Sequence, residues 1–227
     1  MPVHAPRPAT TQQKPFRIQN PVLPAQWEEG DLTLRLTQAD ADDEPLTGCL
    51  LTGDCAENFY KTEILSCRLD HCRLSGRLDR CYIRDTVFDC CDLSNINLSG
   101  SILRRVVFRN CKLMGAKFPQ SKLEHVVFDD CPMKLVNFTL AVCKNVGFEN
   151  CNLEGGTLQE VTPGGMYLKN CRLTGVSLFR TPLRGIDLTT DEITGIQVAM
   201  ADLKGAIVTP LQACELAGLM GIIVKTE

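Results

Sequence analysis

Thiols dominate the chemistry-bearing residues of this chain: 13 cysteines in 227 residues. Cys91, Cys111, Cys131, Cys151 and Cys171 lie 20 residues apart, and "CRLDHC" (67–72) sets His71 between Cys67 and Cys72 like a zinc half-site. A zinc site needs ligands converging on one point with Zn–S near ~2.3 Å. No second half-site follows at a usual spacing, and an odd cysteine count in a chain this long argues against a disulfide framework. The expectation is no metal, with reduced thiols filling small core seats as soft apolar groups. Cys90 differs, because it falls at a corner position of the repeat described below; it is the one thiol with a reactive reading. The only histidines are His4, His71 and His125, and none accompanies a nucleophile signature. "PGG" (163–165) lacks the Lys-Ser/Thr of a phosphate loop, and Asp129/Asp130 and Asp191/Glu192 read as solvated corners. No catalytic residue, cofactor or small-molecule substrate is expected, and no enzyme.

The elements that position these residues announce themselves as a repeat, and repeats are read first. From Leu78 to Val208 every fifth residue is large and apolar at 25 of 27 positions, the exceptions being Cys143 and Pro163. Two residues earlier stand small or β-branched side chains such as Cys91, Ile96, Ser101 and Val106, and two later stand turn formers such as Asn95, Gly100, Asn110 and Gly115. A period of five fits neither helix nor simple strand. It fits two inward side chains followed by a corner, and four corners close a square of 20 residues. The 20-residue period is present independently in Phe88, Phe108, Phe128 and Phe148 and in the cysteine ladder. Stacked coils should repeat at the ~4.7–4.9 Å strand spacing, making a rod of roughly 30 Å. Cysteines 20 apart then form a line and cannot surround a metal.

The unit Ser/Ala/Val/Cys–x–Leu/Phe–x–Gly/Asn, seen in "CKLMG", "CNLEG", "CRLTG" and "INLSG", resembles the pentapeptide-repeat proteins. That resemblance implies an all-β fold, a right-handed quadrilateral β-helix, here with a short C-terminal α-helix cap. Residues 46–208 are assigned to it, regular from 78. Upstream Phe59, Ile64, Leu69 and Leu74 keep the spacing in another frame, so a bulged corner is expected over 75–80.

A solenoid needs its ends covered. In residues 209–227, Thr209, Pro210 and Gln212 form a capping-box start, predicting a helix over about 210–220 that stops at Gly221 and a short strand over 222–224. Leu211, Ala213, Leu216, Leu219, Met220, Ile222 and Ile223 surround that end with apolar groups. It resembles the end of quinolone-resistance pentapeptide proteins, which implies a homodimer through these residues. Residues 1–45 read as a proline-rich, extended or partly disordered lead-in. Outward Val87, Val107 and Val127 form a stripe for either that segment or a partner, with cover by the segment favoured.

The net charge is −3, and residues 78–208 hold 15 Lys+Arg against 14 Asp+Glu. The resemblance implies DNA mimicry toward DNA gyrase or topoisomerase IV and quinolone protection, although a near-neutral rod is no polyanion; the alternative is a generic protein–protein scaffold. A stripe of Arg104, Arg105, Lys122, Lys144, Arg184 and Lys204 is broken by Glu124 and Asp202 and lacks aromatics for stacking, so direct nucleic-acid binding is not expected. No apolar run spans a bilayer and no signal-type segment opens the chain, so a cytoplasmic location without membrane contact is expected.

Overall fold

The computed structural model describes residues 17–225; the first 16 residues of the expected lead-in lie outside them. The fold is a right-handed quadrilateral β-helix of about seven turns. Corner residues take left-handed backbone angles, with φ of 61° at Asn95, 66° at Gly100 and 52° at Arg105. After four corners the chain lies on itself in parallel register, Ile102 on Lys122 and Phe108 on Phe128. Two walls are crossed by the eight-residue strands Tyr82–Asp89, Ile102–Arg109, Lys122–Asp129, Val142–Glu149 and Thr162–Lys169. The other two walls meet through single bridges, such as Asp92 with Lys112 and Asn97 with Lys117.

The interior is packed to its axis. Phe88, Phe108, Phe128 and Phe148 stack with ring centroids 4.7, 4.9 and 5.1 Å apart. Phe118 and Phe138 stack at 4.7 Å and meet the first column edge to face. Each buried ring contributes roughly 2–3 kcal/mol of transfer energy, and each pair about 1 kcal/mol more.

The coils lengthen along the chain. Leu46 pairs with Ile64, 18 residues on, and Ile64 with Ile83, 19 on; only from Ile83 to Leu103 is the spacing 20. Phe59, Ile64, Leu69 and Leu74 are buried in the expected upstream frame. The change of frame falls in the predicted segment but has the opposite sense. Only three residues lie between the core positions Leu74 and Leu78 in place of the regular four, so the corner is shortened, not bulged. Gly76 makes this possible: a Cβ there would stand 1.7 Å from the Glu57 carbonyl oxygen.

The expected lead-in is extended only in part. A strand, Glu28–Asp31, pairs with Cys49–Thr52, and helix α1, Leu32–Asp42, follows with Asp31 as N-cap accepting from the Leu34 N–H. Leu32 and Leu36 are fully buried and close the N-terminal end. At the other end helix α2, Pro210–Ala217, carries the predicted capping box, continues as the 3-10 turn Gly218–Met220 and stops at left-handed Gly221. Residues 222–224 form no strand within the chain.

Candidate binding surfaces

The cysteine ladder is interior. Cys91, Cys111, Cys131, Cys151 and Cys171 are each at most 3% exposed. Each thiol donates to a main-chain carbonyl on the coil beneath, Cys111 to Phe88 O at 3.4 Å and Cys171 to Phe148 O at 3.3 Å. The small side chain is thus a weak donor for a corner carbonyl as well as a filler. All 13 cysteines are free. Burial pushes the thiols of Cys67, Cys81 and Cys143 up to about 12. Cys67 and Cys72 point inward while His71 points out and meets Asp70, so the apparent half-site does not converge. No three His, Cys, Asp or Glu side chains gather among the described residues. Cys90 is at an exposed corner as expected, but local desolvation and the neighbouring Asp89 carboxylate raise its pKa, the reverse of thiolate activation. Cys214, on α2, is a second exposed thiol that the repeat did not single out.

The outside of the rod sorts its charge by wall. The wall centred on Leu103 carries Arg84, Arg104, Arg105, Lys122, Lys144, Arg184 and Lys204 against Asp85, Glu124 and Asp202. Half of the sequence-derived cationic stripe is internally paired. Glu124 bridges Arg104 at 3.6 Å and Lys144 at 2.6 Å, and Arg105 grips Asp85 with two 2.6 Å bonds. The adjoining Phe108 wall is net acidic, but Arg109 and Lys169 interrupt Asp89, Asp129, Asp130 and Glu149. The wall centred on Phe118 has a polar, sparsely charged middle: Asn97, Asn137, Thr157, Ser177 and Gln197 stand in one row with Lys117, while Arg77, Asp79 and Arg80 charge its N-terminal end and the Arg180–Glu160 pair its edge. Its edge exposes Leu140, Phe179 and Met200. The 20-residue count contains this polar row, which charged and reactive residues alone do not reveal.

Of the valine stripe, Val87 is buried and Val107 and Val127 are half-buried. Tyr167 extends the line by lying flat over Gly147, where a Cβ would stand 2.3 Å from the ring, and its hydroxyl donates to Glu149. Beside the stripe the extended segment 17–27 runs along the corner. Its Val22 N–H donates to Asp85 and its Gln19 N–H to His125.

At the C-terminal end Leu211 is 70% and Ile223 88% exposed, and Leu219, Met220, Ile222 and Ala213 are also exposed. Leu216 faces the other way and packs against the core. Gln212 is buried and its Nε2 donates to Leu188 O at 2.7 Å and Asp191 O at 2.8 Å, fastening α2 to the last regular coil.

A family model described as a pentapeptide repeat region matches residues 101–154. The chain carries a pentapeptide-repeat region. Solved pentapeptide-repeat structures are similar to it. A trypsin-treated variant of QnrB1, a plasmid-mediated fluoroquinolone resistance protein, is 14% identical, with 77% of this chain and 100% of that chain covered and a TM-score of 0.42. HetL, a pentapeptide-repeat protein involved in heterocyst differentiation regulation in the cyanobacterium Nostoc, is 16% identical, with 76% and 95% covered and a TM-score of 0.25. Rfr23 from the cyanobacterium Cyanothece is 17% identical, with 78% and 99% covered and a TM-score of 0.21. No curated protein sequence matches the chain. No helix among the described residues is long and apolar enough to cross a membrane.

Proposed function

We propose that the chain is a non-enzymatic, homodimeric binding protein that meets a protein partner on the outside of its rod. The observation that carries this reading is the division between a filled interior and a differentiated exterior. The aromatic columns and the thiol ladder fill the interior of the described coils, where enzymes of other folds keep a pocket. An open cleft beside α1 is lined by Glu28, Arg35, Asp42 and Glu44, with no histidine. The exposed apolar C-terminal end supports pairing with a second copy, since contiguous apolar surface on a folded chain marks an interaction site.

The sparsely charged middle of the Phe118 wall and the mixed charges of the others suit a protein surface better than a groove built for phosphates. A duplex presents one charge per ~1.7 Å, and the acidic residues of the Phe108 wall do not approach that continuity. The partner to test first is a type II topoisomerase, DNA gyrase or topoisomerase IV. What supports it is the resemblance of the C-terminal sequence to the quinolone-resistance pentapeptide proteins, beside a short helix, begun by Thr209, Pro210 and Gln212, whose far side and following residues are apolar and exposed. Engagement through shape and mixed charge makes a distinctive expectation. In a gyrase supercoiling assay with a quinolone, the chain should restore supercoiling, and the effect should change little between ~50 and ~200 mM salt, whereas a polyanionic mimic would weaken by orders of magnitude. Absence of both inhibition and protection would remove the topoisomerase reading and leave a scaffold for another protein.

A further inference from the structure

Burial in the segment 17–27 follows a three-residue period. Ile18, Pro21, Pro24 and Trp27 are half-buried and the residues between them are exposed. Three residues per turn with a rise of ~3.1 Å is polyproline II, which fits residues 17–24 before the chain bends at Ala25 and Gln26 and delivers Trp27. The Gln19 N–H donates to His125 Nδ1 at 3.2 Å, and the Val22 N–H to Asp85 Oδ1 at 2.9 Å. His125 and Asp85 are equivalent corner residues two coils apart, so their separation is ~9.6 Å at the strand spacing. One polyproline II turn advances ~9.3 Å. The segment therefore steps along the corner in register with every second coil. Arg105, on the coil between, is committed to Asp85 through both Nε and Nη2 and fixes that carboxylate in its receiving position.

We propose that the corner formed by Asp85, Arg105 and His125 is a binding site for a polyproline II segment, and that residues 17–27 are its built-in occupant, released on acidification. His125 Nδ1 accepts only when unprotonated. It is faced by Glu124 on its own strand, by Arg104 and Arg105 from the coil below, by Lys144 and Asn145 from the coil above, and by the segment, whose charged residue is the exposed Arg17. Burial lowers its pKa, and the three cations act in the same direction against Glu124. A histidine held neutral when docked stabilises docking fully above its ordinary pKa of ~6.5, and that contribution is lost as the pH falls below it. Asp85 is desolvated, yet its bonds from Arg105 and the Val22 N–H outweigh this and hold it below the usual carboxylate range. It stays charged through this window, so His125 is the group that switches.

The test uses the full chain. At pH 7.5 the Gln19 and Val22 amides should exchange with solvent well below the rate of an unstructured chain. At pH 5.5, after correction for intrinsic exchange, Gln19 protection should fall up to about tenfold. His125→Ala should remove Gln19 protection at both pH values without moving the melting midpoint of the rod. His125→Gln, which supplies an acceptor that does not titrate, should keep it at both. Separately, a labelled peptide of sequence "RIQNPVLPAQW" should bind the Pro21→Gly/Pro24→Gly chain at least about tenfold more tightly than the wild type, whose corner is already filled at high effective concentration. Unprotected Gln19 and Val22 amides at pH 7.5, or equal peptide binding by the two chains, would overturn the proposal.

Discussion

The two ends of the rod solve one problem in different ways. Every solenoid exposes a cross-section of its core at each end. At the N-terminal end α1 buries Leu32 and Leu36 completely and turns Thr37, Gln38, Asp40 and Asp42 to solvent, with Leu34 the one large apolar side chain exposed on it. At the C-terminal end α2 applies Gln212 and Leu216 to the last coil and turns Leu211 outward, followed by Met220, Ile222 and Ile223. A cap with a polar back finishes a surface, whereas a cap with an apolar back begins another one. The largest expected effect breaks this asymmetry. Leu211→Glu combined with Ile223→Glu would place four carboxylates in the proposed two-fold contact, a cost of several kcal/mol. Light scattering should then change from twice the 25.1 kDa chain mass to a single mass, while stability per chain changes by no more than ~0.5 kcal/mol because both side chains are surface groups. An unchanged mass would place the pairing surface elsewhere.

The same asymmetry governs what the sequence discloses. The middle coils are legible because two periods, five and 20, report one geometry at dozens of positions, and any single exception such as Pro163 is outvoted. The ends have no such redundancy. In "LTLRL" (32–36) the leucines alternate with period two, which reads as a strand. The Asp31 cap and the burial of Leu32 with Leu36, one helical turn apart, make it a helix. At α2 the capping box was readable, since Thr209 and Gln212 interact locally. The second role of Gln212, donating to Leu188 O and Asp191 O, depends on a coil 21–24 residues away and leaves no local trace. The docked N-terminal segment is intermediate. The three-residue spacing of Pro21 and Pro24 is visible, but nothing near His125 or Asp85 marks them as acceptors.

Asp191 sharpens the contrast between middle and end. It is not the solvated corner that its pairing with Glu192 suggests: standing two residues before the core position Ile193, it is buried in the seat 20 residues after Cys171, so the thiol ladder terminates on a carboxyl group. Its Oδ1 accepts the Cys171 N–H at 2.6 Å. Burial, with Asp187 in the same direction, raises its pKa to about 6 against that hydrogen bond. A carboxyl whose folded pKa lies above its unfolded value favours the fold in its protonated form. That contribution is complete below pH ~4 and lost as the pH rises through ~6. Asp191→Asn keeps an acceptor for Cys171 and removes the charge. It should therefore stabilise the chain by about 2–3 kcal/mol at pH 7.5 and by almost nothing at pH 4, read from urea midpoints at the two pH values. A gain of equal size at both would mean that folding leaves the pKa of this carboxyl unchanged.

The smallest effect concerns the closed end, and it separates capping from dimerisation. Asp31 Oδ1 accepts the Leu34 N–H at 2.9 Å. Its other oxygen lies against Gly53, where a Cβ would stand 2.7 Å from it. The residue thus satisfies one orphan donor of α1 while the absence of a side chain at position 53 lets the helix start close to the first coil. Replacing an aspartate N-cap by alanine costs ~1 kcal/mol. Asp31→Ala should lower the unfolding free energy by about that amount and leave the oligomeric mass unchanged, because α1 turns a polar back to solvent. If the mass fell with it, the two ends would be coupled through the rod, and the division between a closed end and a pairing end would fail.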